Sequence, residues 1–86
     1  MNISAQIEAI LFWKAEPISI KKLAALLNSD TTATLAGLQE LETTLKGRGL
    51  TLVRTDEEVM LGTAKELSSL IEQLTKEELN RDLGKA

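Results

Sequence analysis

The chain has 86 residues, 43% of them hydrophobic, a formal net charge of −3 and a pI near 4.9. It is long enough for one small domain, too apolar to stay disordered, and has no apolar run near the ~20 residues needed to span a bilayer. It contains neither cysteine nor histidine, which removes disulfides, thiolate nucleophiles, zinc-finger sites and histidine bases from consideration. No basic segment followed by an apolar core opens the chain, so no signal peptide is expected and a cytoplasmic location is the default expectation.

In chain order, Ile3, Ile7, Ile10 and Leu11 follow one helical face. Asn2 or Ser4 can cap that helix. Pro17 disfavours helical geometry at Glu16, so the helix should end near Lys14 or Ala15. Ile18 then lies in a short extended piece. Ser19 is a suitable N-cap for a second helix, Ile20 to Leu27, with Leu23, Leu26 and Leu27 as its apolar face, and Asn28 can take the left-handed conformation that ends it. Ser29 to Thr32 is a capping cluster for a third helix, roughly Thr32 to Lys46, with Leu35, Leu38, Leu41, Leu45 and the methyl of Thr34 inward. Gly47 and Gly49 stop it.

Leu50 to Thr55 alternates and is rich in β-formers; Asp56-Glu57-Glu58 forms a turn; Val59 to Gly62 is a second strand. In this hairpin Leu50, Leu52, Val59 and Leu61 should face the core, and Val53 and Met60 the outside. A fourth helix should span Ala64 to Leu74, with Leu67, Leu70, Ile71 and Leu74 on one stripe. Thr75-Lys-Glu-Glu78 then has the form of a capping box, opening a polar segment with only Leu79 and Leu83 to bury. The domain reading is therefore 1–74 as one unit, and 75–86 as a tail or the start of something further.

Three helices, a two-stranded wing and a fourth helix make a mostly α (α+β) winged helix-turn-helix. A lone hairpin is unstable in water, so the wing must pack on the helices. This fold is usually met on DNA, but the charge argues otherwise. From Thr31 to Arg48 the would-be recognition helix carries Glu40 and Glu42 against Lys46 and Arg48, and its first turns offer Thr31, Thr32 and Gln39 without a cation. The wing sets Arg54 against Asp56, Glu57 and Glu58. Duplex binding commonly needs several Lys and Arg contacts to phosphate. Lys14, Lys21 and Lys22 could make a small basic patch, but a solvated helix face is the preferred reading. The pairs Glu57-Glu58 and Glu77-Glu78 diverge along a strand or a helix, so neither reads as an acid–base pair, and no catalytic, metal or cofactor site is expected.

The first helix carries more apolar surface than one core needs. Phe12 and Trp13 are the only aromatic residues. At about 100° per residue Phe12 lies well off the core face and Trp13 at its edge. Two readings stand open: a protein interface, where such rings are enriched, or Phe12 packed under the wing or the fourth helix of its own domain. Val53 and Met60 form a second candidate surface, with ordinary surface as the alternative. The candidate interface residues are thus Phe12, Trp13, Val53 and Met60.

Ile7-Glu-Ala-Ile-Leu-Phe12, Glu16-Pro-Ile-Ser19, Leu23-Ala-Ala-Leu-Leu27, Leu38-Gln-Glu-Leu41, Arg48-Gly-Leu50 and Leu52-Val53, in that order, resemble the N-terminal winged-helix domain of the segregation and condensation protein B (ScpB) family. The resemblance covers about residues 3 to 74. It departs at Trp13, where a small residue is usual, and at the acidic turn 56–58, where glycines are. It implies a non-enzymatic subunit that forms a homodimer through this domain and binds the kleisin subunit ScpA, and through it Smc, in a bacterial condensin acting in chromosome condensation and segregation. In that family a second winged-helix domain holds most of the kleisin, and Leu79 to Ala86 is similar to the start of its first helix. The rival reading is a DNA-binding winged-helix transcription regulator.

Overall fold

The computed structural model describes residues 2–84, with side chains described for residues 2–78. The order is α1 (Ile3–Lys14), β1 (Ile18–Ser19), α2 (Ile20–Leu27), α3 (Thr31–Thr44), β2 (Leu50–Arg54), β3 (Glu58–Thr63), a 3-10 turn (Lys65–Leu67) and α4 (Ser68–Gly84).

Each of the first three helices begins on a polar cap. The side chains of Asn2, Ser19 and Asp30 accept from the amides of Ala5 (2.9 Å), Lys22 (3.0 Å) and Ala33 (2.7 Å). Such bonds satisfy amides that the helix itself cannot, for about 1 kcal/mol each. Asn2 is the first cap, and Ser4 is buried instead. Asn28 ends α2 in the left-handed conformation, φ 54°. Ala15 ends α1 in the same region, φ 58°, where a Cβ costs roughly 1–2 kcal/mol. The helix must stop there because Pro17 follows.

The extended piece at Ile18 is a true strand, so the sheet has three strands rather than two. Its order is β1-β3-β2, antiparallel throughout. Ile18 pairs with Val59 and Ser19 with Glu58, and the Ile20 amide donates to the Glu57 carbonyl at 2.8 Å. These bonds tie the wing to the start of α2. In the hairpin Leu52 faces Leu61, Val53 faces Met60 and Arg54 faces Val59. The turn is closed by the Thr55 amide donating to the Glu58 carbonyl, while the Thr55 hydroxyl accepts from the Glu58 amide at 3.1 Å.

The core is Ile7 and Leu11 of α1, Ile18 of β1, Ile20 and Leu23 of α2, Leu38, Leu41 and Leu45 of the α3 region, and Val59 of β3. Gly37 lets α1 approach α3: a Cβ there would lie 2.8 Å from Ile7 Cδ1 and 2.9 Å from Ile3 Cγ2. Thr34 is fully buried and donates its hydroxyl to the Asp30 carbonyl at 2.8 Å, which removes the cost of an unpaired hydroxyl.

Three expected core leucines are outside it. Leu26, Leu35 and Leu50 are all exposed, at 49%, 39% and 40%. Ala24 takes the inward place on α2. Leu35 lies one turn before Leu38, past the edge of what α1 and α2 cover. Leu50, at the first position of β2, lies beside the small residues Ala5 and Ala9 of α1 and is left partly uncovered.

The fourth helix also differs. Ala64 is buried and opens a 3-10 turn, and the α-helix proper begins at Ser68. It does not break at Thr75. That hydroxyl donates back to the Ile71 carbonyl at 2.9 Å inside a continuous helix, a pairing that competes with capping. The expected burial of Leu79 and Leu83 concerns side chains outside the described residues.

Candidate protein-interaction surface

Neither ring of α1 packs under the wing or α4. Phe12 and Trp13 are each 76% exposed. Core contacts take the opposite side of the helix, through Ile7 and Leu11. Phe12 continues a stripe with Ala9 and Ala5, one and two turns earlier. Beside this stripe run Leu50 of β2 and Leu61 of β3, and together they line a shallow apolar shelf of about 420 Å³ with Glu8 at its rim. Ala5 and Ala9 make the shelf wide because they project little side chain into it. Trp13 stands at the end of α1, next to Lys14, whose ammonium lies 3.5 Å from a Glu16 carboxylate oxygen. Both of those partners are solvated, so the pair adds little stability.

Sequence reasoning singled out the rings but not the shelf. The spacing of Ala5, Ala9 and Phe12 was a signal available in the sequence; the arrival of Leu50 and Leu61 beside it was not.

Val53 and Met60 are cross-strand partners on the outer face of the hairpin. Val53 is exposed and Met60 half-buried. Val53 leans over Gly62, where a Cβ would meet its Cγ2 at 2.9 Å. The pair therefore partly covers itself and is separate from the Phe12 shelf, on the opposite side of the sheet. β2 is an edge strand of the sheet, blunted by Arg54 and the acidic turn that follows it.

The face that a DNA-binding protein of this shape would use is poor in cations. The exposed positions early in α3 are Thr31, Thr32, Leu35, Ala36 and Gln39. The groove between α2, α3 and the wing is lined by Ser19, Ile20, Lys21, Leu35, Asp56 and Glu57, among others. Its two carboxylates stand where phosphates would have to approach. Lys46 and Arg54 share a neighbouring depression with Glu42. Among the described residues no group of three or more His, Cys, Asp or Glu converges as metal ligands, and no helix is long and apolar enough to cross a membrane.

Comparison with known proteins gives the same direction. A family model described as segregation and condensation complex subunit ScpB matches residues 5–86. Segregation and condensation protein B of Clostridium tetani (strain Massachusetts / E88) is 32% identical over 82 residues, covering 93% of this chain and 43% of that protein. The protein of the same name from Clostridium botulinum (strain Kyoto / Type A2) is 34% identical over 82 residues, covering 93% and 42%. The chain thus spans less than half the length of these curated relatives. A crystal structure of a dimer of the ScpB N-terminal domain complexed with an ScpA peptide aligns with a TM-score of 0.74 and 28% identity, over 83% of this chain and 91% of that one.

Proposed function

We propose that this chain, which belongs to the ScpB family of segregation and condensation complex subunits, is a non-enzymatic module that pairs with a second copy of itself and engages a kleisin-type partner. The observation that carries this reading is the pair of rings at the end of α1. Two adjacent aromatic side chains, each 76% exposed and the first of them lining an apolar shelf, are costly to leave in water and typical of interface anchors. Phe12 and Trp13 anchor the pairing surface. Val53 and Met60 form a smaller, separate contact.

The kinship extends the reading. The structural neighbour is a dimer of an N-terminal domain that carries an ScpA peptide. By likeness, this chain forms a homodimer, binds the kleisin ScpA and through it Smc, and serves a bacterial condensin that compacts and segregates the chromosome. It works in the cytoplasm, on the nucleoid, through that complex rather than by its own grip on DNA. Residues 1–74 act as the pairing domain, and 75–86 as a tail or the start of a second winged-helix domain. The acidic wing and the cation-poor start of α3 support contact with polypeptide over contact with duplex.

Analytical ultracentrifugation across a concentration series tests the reading. A reversible dimer is expected. A species that stays monomeric at hundreds of micromolar overturns it. A salt-sensitive mobility shift of duplex DNA by the isolated chain would instead revive the rival function.

A further inference from the structure

The rings alone are too small to hold two copies together. An aromatic side chain offers roughly 150–250 Å², so two that are 76% exposed contribute roughly 300 Å². A stable interface covers about 800 Å² on each partner. The remainder must come from other apolar surface on the same chain.

Among the described residues, such a surface runs from the 3-10 turn into α4. Leu67, Leu70 and Leu74 recur at i, i+3 and i+7 and are 36%, 50% and 50% exposed, with Ile71 half-buried beside them. The main contacts of α4 are with the 3-10 turn that leads into it. Its 17 residues extend about 25 Å at 1.5 Å per residue, along a molecule measuring 50 × 27 × 26 Å. The helix therefore projects from the body as an arm. Its base lies next to the shelf: Leu67 Cδ1 is 3.7 Å from where a Gly49 Cβ would stand, and Leu50 is the next residue.

Resting on the pairing reading above, we infer that the α4 arm of one copy lies across the shelf of Ala5, Ala9, Phe12, Leu50 and Leu61 on a second copy, and the reverse. A two-fold interface is isologous, so one chain must carry both complementary patches. This chain carries them: a ridge of leucines and a shallow apolar bed floored by two alanines. The reciprocal arrangement covers the Phe12 ring and the arm of each copy at once. Pairing of arm with arm would leave the shelves and rings in water.

The test uses the whole chain, which has no native thiol. The double variant Leu70→Glu/Leu74→Glu should weaken the dimer by about tenfold or more in sedimentation, with an unchanged far-UV circular dichroism spectrum, since both positions are half exposed. In parallel, Ala9→Cys and Leu74→Cys chains are mixed and treated with a short bismaleimide. Arm on shelf predicts a 9-to-74 link between copies, located by peptide mass spectrometry, and little product from either single variant alone. An undiminished dimer in the glutamate variant, or a link only between two copies of Leu74→Cys, overturns this arrangement while leaving pairing intact. A parent chain that never dimerises removes the pairing reading itself, and this one with it.

Discussion

Helices α3 and α4 carry leucines at the same spacing and meet opposite fates. On α3, Leu38 is fully buried and Leu41 is 1% exposed, locked between α1, α2 and the sheet. On α4, Leu70 and Leu74 are half in water. The residue type and the helical period are the same; the difference is what lies opposite. α3 sits at the centre of the domain with elements packed around it, whereas α4 leaves the domain past its last strand. A leucine stripe therefore states that a helix has an apolar side, and only the packing states whether that side belongs to the fold or to a partner.

Substitutions can separate the two roles. The largest effect is expected for Leu38→Ala, which should cost about 2–5 kcal/mol of folding stability. That is a large part of the ~5–15 kcal/mol typical of a domain, and thermal or urea unfolding monitored by circular dichroism would read it. A loss below 1 kcal/mol would mean that α3 is not the centre of the core. Trp13→Ala comes next. It should remove about 2 kcal/mol or more from pairing and leave helicity unchanged; an unaltered dimer would take Trp13 out of the interface. Gly37→Ala should destabilise by about 1–3 kcal/mol through overpacking against Ile3 and Ile7, in spite of alanine's better helix propensity. A stabilised variant would show that α1 can slide away from α3 at little cost.

Smaller effects complete the contrast. Ala15→Gly should stabilise by up to about 1 kcal/mol, because glycine accepts the positive φ that ends α1 while its extra unfolded-state entropy offsets part of the gain. The smallest change belongs to Leu74→Ser under dilute, monomeric conditions, within about 0.5 kcal/mol of the parent. The same substitution should lower the dimer fraction at high concentration. If it instead unfolded the monomer, the arm would be a structural element of its own domain and the contrast with α3 would collapse.

Much of the fold is legible in local chemistry. Asn2, Ser19 and Asp30 begin helices because their short polar side chains reach amides nearby, and Pro17, Asn28 and Gly47 end or turn segments through their own backbone preferences. Alternation in the wing correctly places Leu52 and Leu61 inward and Val53 with Met60 outward. Readings failed where the deciding partner is remote in sequence. β1 is two residues long and has no pattern of its own; Ile18 and Ser19 become a strand only because Val59 and Glu58 stand beside them. Thr75 satisfies a capping pattern, yet the helix before it continues and offers its hydroxyl a carbonyl instead. Leu26, Leu35 and Leu50 fit their periods but are left uncovered by the elements that pack around them.

The sequence by itself determined the order of the helices and the hairpin, the α+β winged-helix class, the shortage of cations on the would-be DNA face and the two rings that do not fit a single core. Those features follow from side-chain chemistry and spacing over a few residues. Tertiary structure decided which apolar residues are left uncovered, that Leu50 and Leu61 join the Ala5–Ala9–Phe12 stripe in one shelf, and that α4 stands away from the body as an arm. Each of these depends on where distant segments come to rest, and burial is set by neighbours in space rather than by neighbours along the chain.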